Sequence, residues 1–143
     1  MKVKNIKIEW TYPVEYNNAL KHDLSSEIGL YQISRLFGEN ETLLYLGIVK
    51  SSNRTFKTRL AEHDYWLKEY KGTIKVRFGT IQRKQGLKIN SQLIEDAESV
   101  LIYELKPIEN TQKTCSYFIN KELEVENIGY RGFLPKIVSS CRH

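Results

Sequence analysis

"EIGLYQISRLFGENETLLYLGIV", residues 27–49, decides the fold. Two strand-like runs, 28–35 and 43–49, flank the polar segment around Gly38-Glu39-Asn40-Glu41, so the stretch reads as a β-hairpin with a loop of several residues. Side chains alternate along a strand. Gly29 and Tyr31 therefore share a face of the first strand, and Tyr45 and Gly47 share a face of the second. Antiparallel pairing accounts for the reversed order of Gly-Leu-Tyr and Tyr-Leu-Gly and brings the two phenols to one side of the sheet. Each tyrosine has a neighbour without a side chain, which leaves a gap where a ligand or another backbone comes close. The simpler reading is an aromatic cross-strand pair with glycine as a bulge or packing accommodation.

Outward from the hairpin, residues 73–81 alternate cleanly, with Ile74, Val76 and Phe78 on one face and Lys75 and Arg77 on the other. Between hairpin and strand, Phe56, Leu60, His63, Leu67 and Tyr70 follow helical spacing, widened by Trp66. They predict a helix over about 55–70, capped by Thr55 and stopped near Gly72. A second helix is expected over 91–105, capped by Asn90 or Ser91, with a stripe of Ile94, Ala97, Glu98, Leu101 and Leu105. Residues 3–10 alternate loosely and read as an edge strand; 111–143 add a short element or two without a clear pattern. The order predicts an α+β domain, residues 1–143, with a small antiparallel sheet and helices packed on it.

The bulk numbers fit this reading. A chain of 143 residues with 41% hydrophobic and 27% charged residues is globular rather than disordered. It shows no apolar run of bilayer length and no signal core, so a cytoplasmic protein is expected. Cys115 and Cys141 make neither a metal spacing nor a disulfide framework. The net charge of +5 is segregated: residues 50–88 carry +8 and the remainder −3. Such segregation suits a surface facing a polyanion such as DNA, although a solvated basic face gives the same count.

Three residues sit where a core argument would not put them. Glu98 lies within the apolar stripe of the second helix, where a carboxylate needs a cation or a route to water. Arg59 and His63 stand four apart on one face of the first helix, a pair able to hold a phosphate and move a proton.

Taken together, these residues resemble the GIY-YIG nuclease family. Its first signature appears as Gly29-Leu30-Tyr31 and its second as Tyr45-Leu46-Gly47, followed by a helix with Arg59 and His63, a strand, a helix with Glu98, and Asn110 beyond a proline. The gap from Tyr45 to Arg59 is longer than the family's usual spacing, which makes Arg54 a rival; the Arg-x-x-x-His pairing selects Arg59. The resemblance covers about 28–110. It implies a central three-stranded antiparallel sheet with flanking helices, here with short N- and C-terminal additions. It also implies divalent-metal-dependent cleavage of a DNA phosphodiester.

The resemblance further implies roles. Glu98 would bind a single Mg²⁺ or Mn²⁺, Arg59 would grip the scissile phosphate, and Tyr31 would act on the attacking water with Tyr45 and His63 assisting. An ordinary tyrosine pKa of about 10 leaves two routes open. Either nearby cations make Tyr31 the base, or it positions the water while His63 or a metal-bound hydroxide takes the proton. Asn110 would hold tyrosine or backbone groups in place. Lys50, Arg54, Lys75, Arg77, Arg83 and Lys84 are the expected nucleic-acid contacts, and a double-strand cut would need a homodimer or successive nicks. The alternative is a nucleic-acid-binding module on the same fold without catalysis; a third reading is a basic structural protein whose tyrosines only pack.

Overall fold

The computed structural model describes residues 4–21, 29–49, 56–84, 89–110 and 122–140. In chain order the first elements are β1 (Lys4–Trp10), β2 (Val14–Glu15), α1 (Tyr16–Ala19), β3 (Gly29–Phe37) and β4 (Asn40–Val49). Then follow α2 (Phe56–Ala61), α3 (Asp64–Leu67), β5 (Thr73–Ile81), α4 (Ser91–Leu105), β6 (Leu123–Gly129) and β7 (Ile137–Ser139).

The hairpin forms, with a tighter turn than expected. Phe37 pairs with Asn40, so only Gly38 and Glu39 make the turn. Gly38 supplies the positive φ of 66° that a tight hairpin turn requires. A bulge between Ile33 and Ser34 leaves Leu44 as an extra residue on β4. It falls next to Tyr45.

The sheet is larger than the expected three strands. Among the described residues it has seven, in the order β4-β3-β5-β1-β6-β7, with β2 on β5. The α+β class stands, but the small three-stranded sheet does not. The reason lies in the two ends of the chain. β1 is an inner strand, antiparallel to β5 and parallel to β6, rather than an edge. Ile6, Ile8 and Trp10 alternate onto one buried face. Burying each stabilises the fold by about 1.5–3 kcal/mol, which an exposed edge strand would not achieve as well. β6 buries Leu123 and Val125 and then Asn127, whose Oδ1 accepts from the Trp10 indole at 2.9 Å and whose amide donates to the Pro135 carbonyl at 2.9 Å.

Helices cover both faces. On one, α4 packs its Ile94, Ala97 and Leu101 side against Ile6, Ile8, Trp10, Leu30 and Leu46. Asn90 caps it by accepting from the Leu93 N–H at 2.9 Å, and its bounds match the expected 91–105. On the other face, Phe56, Leu60 and Leu67 pack against Tyr31, Ile33, Val76 and Phe78. The helix expected over 55–70 is two short helices. The Glu62 and His63 N–H groups donate to the carbonyls three residues back, Arg59 and Leu60, which tightens the turn and ends α2. Thr55 lies outside the described residues. No helix among the described residues is long and apolar enough to cross a membrane.

Candidate active site

The register of β3 and β4 sets the first two groups. Tyr31 lies opposite Gly47 and Ile33 opposite Tyr45, so the two tyrosines are diagonal neighbours on the α2 face, with ring centroids 6.0 Å apart. Tyr31 is wholly buried; Tyr45 is only partly so. The glycines do not leave the open gaps expected beside the rings. A Cβ at Gly47 would fall 2.4 Å from the Tyr31 Cζ and Oη and 2.7 Å from the Tyr45 Cε2, so the space is filled by the Tyr31 phenol itself. At Gly29, with φ +145°, a Cβ would lie 2.5 Å from the Gly79 carbonyl oxygen, so this glycine permits a close backbone approach. One glycine seats a phenol; the other seats a strand.

The helix face supplies the next three groups. Arg59, His63 and Trp66 are spaced four and three residues apart across the α2–α3 break, and all reach the tyrosines. The Tyr31 Oη and His63 Nε2 lie 2.7 Å apart. The Trp66 Nε1–H donates to His63 Nδ1 at 3.0 Å. The His63 ring sits 4.4 Å from the Tyr45 ring, centroid to centroid. Arg59 is close enough for its charge and a hydrogen bond to favour the ionised form of both phenols. Its Nη1 pairs with Glu62 at 3.0 Å, while its Nε is buried with no hydrogen-bond partner among the described residues. A buried unpaired N–H is costly, and an anionic oxygen arriving there would relieve it.

Glu98 comes from α4, in the layer opposite α2. β4 is the outermost strand of the sheet. The Glu98 carboxylate is buried, and its charge raises the pKa of both Tyr31 and Tyr45. The residues after α4 close that edge: Lys106 turns the chain in a left-handed conformation, and the Glu109 N–H donates to the Leu44 carbonyl at 2.8 Å. Asn110 then acts as one more unit of strand. Its Oδ1 accepts from the Leu46 N–H and its amide donates to the Leu46 carbonyl, both at 2.9 Å. Leu46 lies between Tyr45 and Gly47, so Asn110 fixes the backbone that carries both.

Burial dominates the protonation states. It raises Tyr31 and Tyr45, and Arg59 offsets this only in part. It lowers His63 to about 4, helped by the Arg59 charge, so the imidazole is neutral near pH 7.

The expected site residues Tyr31, Tyr45, Arg59, His63 and Glu98 thus meet in one electrostatic neighbourhood, with Asn110 behind the strand. The expected nucleic-acid contacts fare differently. Arg77 is 7% exposed and its Nη2 pairs with Glu41 at 3.2 Å, because the face of β5 read as polar is covered rather than solvated. Lys75, on the same face, is half-buried. Arg83 and Lys84 are exposed, with the Lys84 Nζ donating to the Asn5 carbonyl at 2.6 Å. Lys50, Arg54, Cys115 and Cys141 lie outside the described residues. Sequence reasoning missed Trp66, which it placed only in an apolar stripe. The signal was its position three residues after His63, on the same helical face.

Among the described residues no three His, Cys, Asp or Glu side chains group as a metal site. A cage of protein ligands, as for structural zinc, does not fit this donor set. A single buried carboxylate does fit Mg²⁺ or Mn²⁺ that keeps most of its water and takes further oxygens from a phosphate.

The fold and site define an α+β protein with a largely buried Tyr–His–Trp cluster beside the Arg59 guanidinium and the Glu98 carboxylate. Comparison with protein-family models, curated proteins and solved structures finds no match to this chain.

Proposed function

We propose that this chain is a divalent-metal-dependent DNA endonuclease of the GIY-YIG type. The observation that carries the reading is the convergence of Tyr31 and Tyr45 with Arg59, His63 and Glu98, drawn from two strands and from helices of two layers. Packing alone asks for apolar side chains at such a junction, not two hydroxyls, an imidazole, a guanidinium and a carboxylate.

Each group has a role in phosphodiester hydrolysis. The Arg59 guanidinium, with its unpaired Nε, receives a phosphate oxygen and neutralises charge that develops at phosphorus. Glu98 would hold the metal ion, which when bound supplies positive charge beside the leaving oxygen and offsets the carboxylate that raises both phenols. The two phenols orient the attacking water, Tyr45 from its partly exposed position and Tyr31 from behind it. His63 holds the Tyr31 oxygen, and Asn110 holds the strand. Within the basic segment 50–88, the exposed Lys57, Lys68, Lys71, Arg83 and Lys84 are cations that a DNA backbone would meet.

The test is plasmid nicking with Mg²⁺ or Mn²⁺, comparing the unmodified chain with Glu98→Ala and Arg59→Ala. Cleavage is expected from the unmodified chain and a loss of about 100-fold or more from each variant, the scale of a lost transition-state contact. Unchanged cutting by both variants sinks the assignment. Two observations favour the alternative of a catalytically silent nucleic-acid-binding module: Tyr31 is entirely buried and Arg59 is paired with Glu62. Salt-dependent DNA binding without metal-dependent cleavage would select it.

A further inference from the structure

The Trp66–His63–Tyr31 contacts have a direction. An indole nitrogen can only donate. Trp66 Nε1–H points at His63 Nδ1 at 3.0 Å, so Nδ1 is the acceptor and carries no hydrogen. A neutral imidazole has one N–H, which must then be on Nε2. The Nε2 lies 2.7 Å from the Tyr31 Oη, so His63 is the donor and the phenol oxygen the acceptor. Having accepted there, Tyr31 keeps its own hydrogen for another partner. The Tyr45 ring lies beside it, centroids 6.0 Å apart, and is partly open to solvent. The chain of donors runs one way, from the indole through the imidazole to the Tyr31 phenol.

We propose that Trp66 is a positioning residue: its indole N–H fixes the tautomer of His63, so that His63 donates to Tyr31 and does not take a proton from it. The catalytic consequence rests on the nuclease reading above. In that reading His63 is excluded as the base that activates Tyr31, and serves instead to orient the phenol and to stabilise negative charge on its oxygen. Trp66 follows His63 by three residues, its backbone N–H donating to the His63 carbonyl at 3.2 Å, and its indole stands edge-on to the imidazole at a ring separation of 5.4 Å.

The structural arm of the test is independent of cleavage. Long-range ¹H–¹⁵N spectra of histidine-labelled protein report which ring nitrogen carries the hydrogen. The unmodified chain is expected to show a single His63 tautomer with the hydrogen on Nε2. In Trp66→Phe, which keeps an aromatic ring but removes the donor, the Nδ1 resonance should move toward that of an unbonded imine nitrogen. A hydrogen found on Nδ1 in the unmodified chain, or an Nδ1 resonance indifferent to Trp66→Phe, overturns the proposal.

The kinetic arm is a double-mutant cycle. Trp66→Phe is expected to lower kcat by about 10- to 100-fold with KM little changed, the scale at which outer partners of a functional histidine act. His63→Gln places an amide N–H near the position of Nε2–H and offers no base. It should retain part of the activity that His63→Ala loses. In the His63→Gln background, Trp66→Phe should cost little, because no Nδ1 is left to orient. An equal cost in both backgrounds, or His63→Gln as inactive as His63→Ala, overturns the proposal. If the unmodified chain cuts no DNA with either metal, the nuclease reading fails, and the tautomer spectra alone decide the role of Trp66.

Discussion

Replacing Gly47 by alanine adds a single methyl group at the most crowded point of the site. The new Cβ would lie 2.4 Å from both the Cζ and Oη of Tyr31 and 2.7 Å from the Tyr45 Cε2, well inside contact distance. The Tyr31 ring cannot yield easily. Tyr31 is edge-on to Phe56 at 6.0 Å and bonded to His63 at 2.7 Å, and it is wholly buried. Overpacking of this kind costs about 1–3 kcal/mol. Displacing the Tyr31 oxygen from His63 adds about 1 kcal/mol. Against this, alanine in a strand is favoured over glycine by about 0.5–1 kcal/mol. The net expectation is a loss of about 1–3 kcal/mol, or roughly 3–10 °C in Tm for a chain of this length. Urea unfolding followed by circular dichroism at pH 7 measures it. Tyr31→Leu is itself destabilising, but it removes the ring that the new methyl strikes, so adding Gly47→Ala in that background should cost about 1 kcal/mol less than in the unmodified chain. A neutral or stabilising Gly47→Ala, or the same cost in both backgrounds, would refute the claim that the glycine exists to seat the Tyr31 phenol.

Three further outcomes follow from the geometry. His63 has its pKa lowered to about 4 from an ordinary 6.5, so the unfolded chain takes the proton first as pH falls. Its contribution to stability is full above the ordinary value, declines between there and the lowered one, and is flat below; relative to His63→Gln the chain should lose about 1–3 kcal/mol across that window in urea titrations. Asn110→Ala removes both bonds to Leu46 and should cost about 1–3 kcal/mol, with faster hydrogen exchange at the Leu46 amide than at Ile33 on the inner strand. Arg77→Met should cost about 1–3 kcal/mol in denaturant unfolding by leaving the Glu41 carboxylate without its partner, whereas Lys68→Met, on an exposed pair with Asp64, should stay within about 0.5 kcal/mol.

The hairpin, β5 and α4 were legible because their signals are local. Alternation of Ile74, Val76 and Phe78 and the stripe from Ile94 to Leu105 depend only on strand and helix geometry. The break at Glu62–His63 was not legible, since neither proline nor glycine marks it. β6 was hidden by Asn127: a polar residue interrupts the apolar alternation, and its burial is explained by partners the local pattern does not show, the Pro135 carbonyl and the indole of Trp10, 117 residues away in sequence. Arg77 misled for the same reason. A cation on an alternating strand reads as solvated unless its distant partner, Glu41, is known.

The chain's own order of residues was enough to put Gly29 with Tyr31 on one face of β3 and Tyr45 with Gly47 on one face of β4; that the two tyrosines share a side was decided by the bulge at Leu44, because the Phe37–Asn40 register continued without it would pair Tyr31 with Leu46 and turn Tyr45 to the other face. The order of residues was also enough to bring Arg59 and His63 to one side of a helical segment. Tertiary structure alone decided that the terminal strands enlarge the sheet, that the Gly47 space belongs to the Tyr31 phenol, and that Glu98 acts on both tyrosines from the opposite layer. It alone decided the direction of the hydrogen bonds through His63. Those outcomes depend on which atoms meet across long separations in sequence, and on donors and acceptors whose sense is set only once a neighbour such as the Trp66 indole is in place.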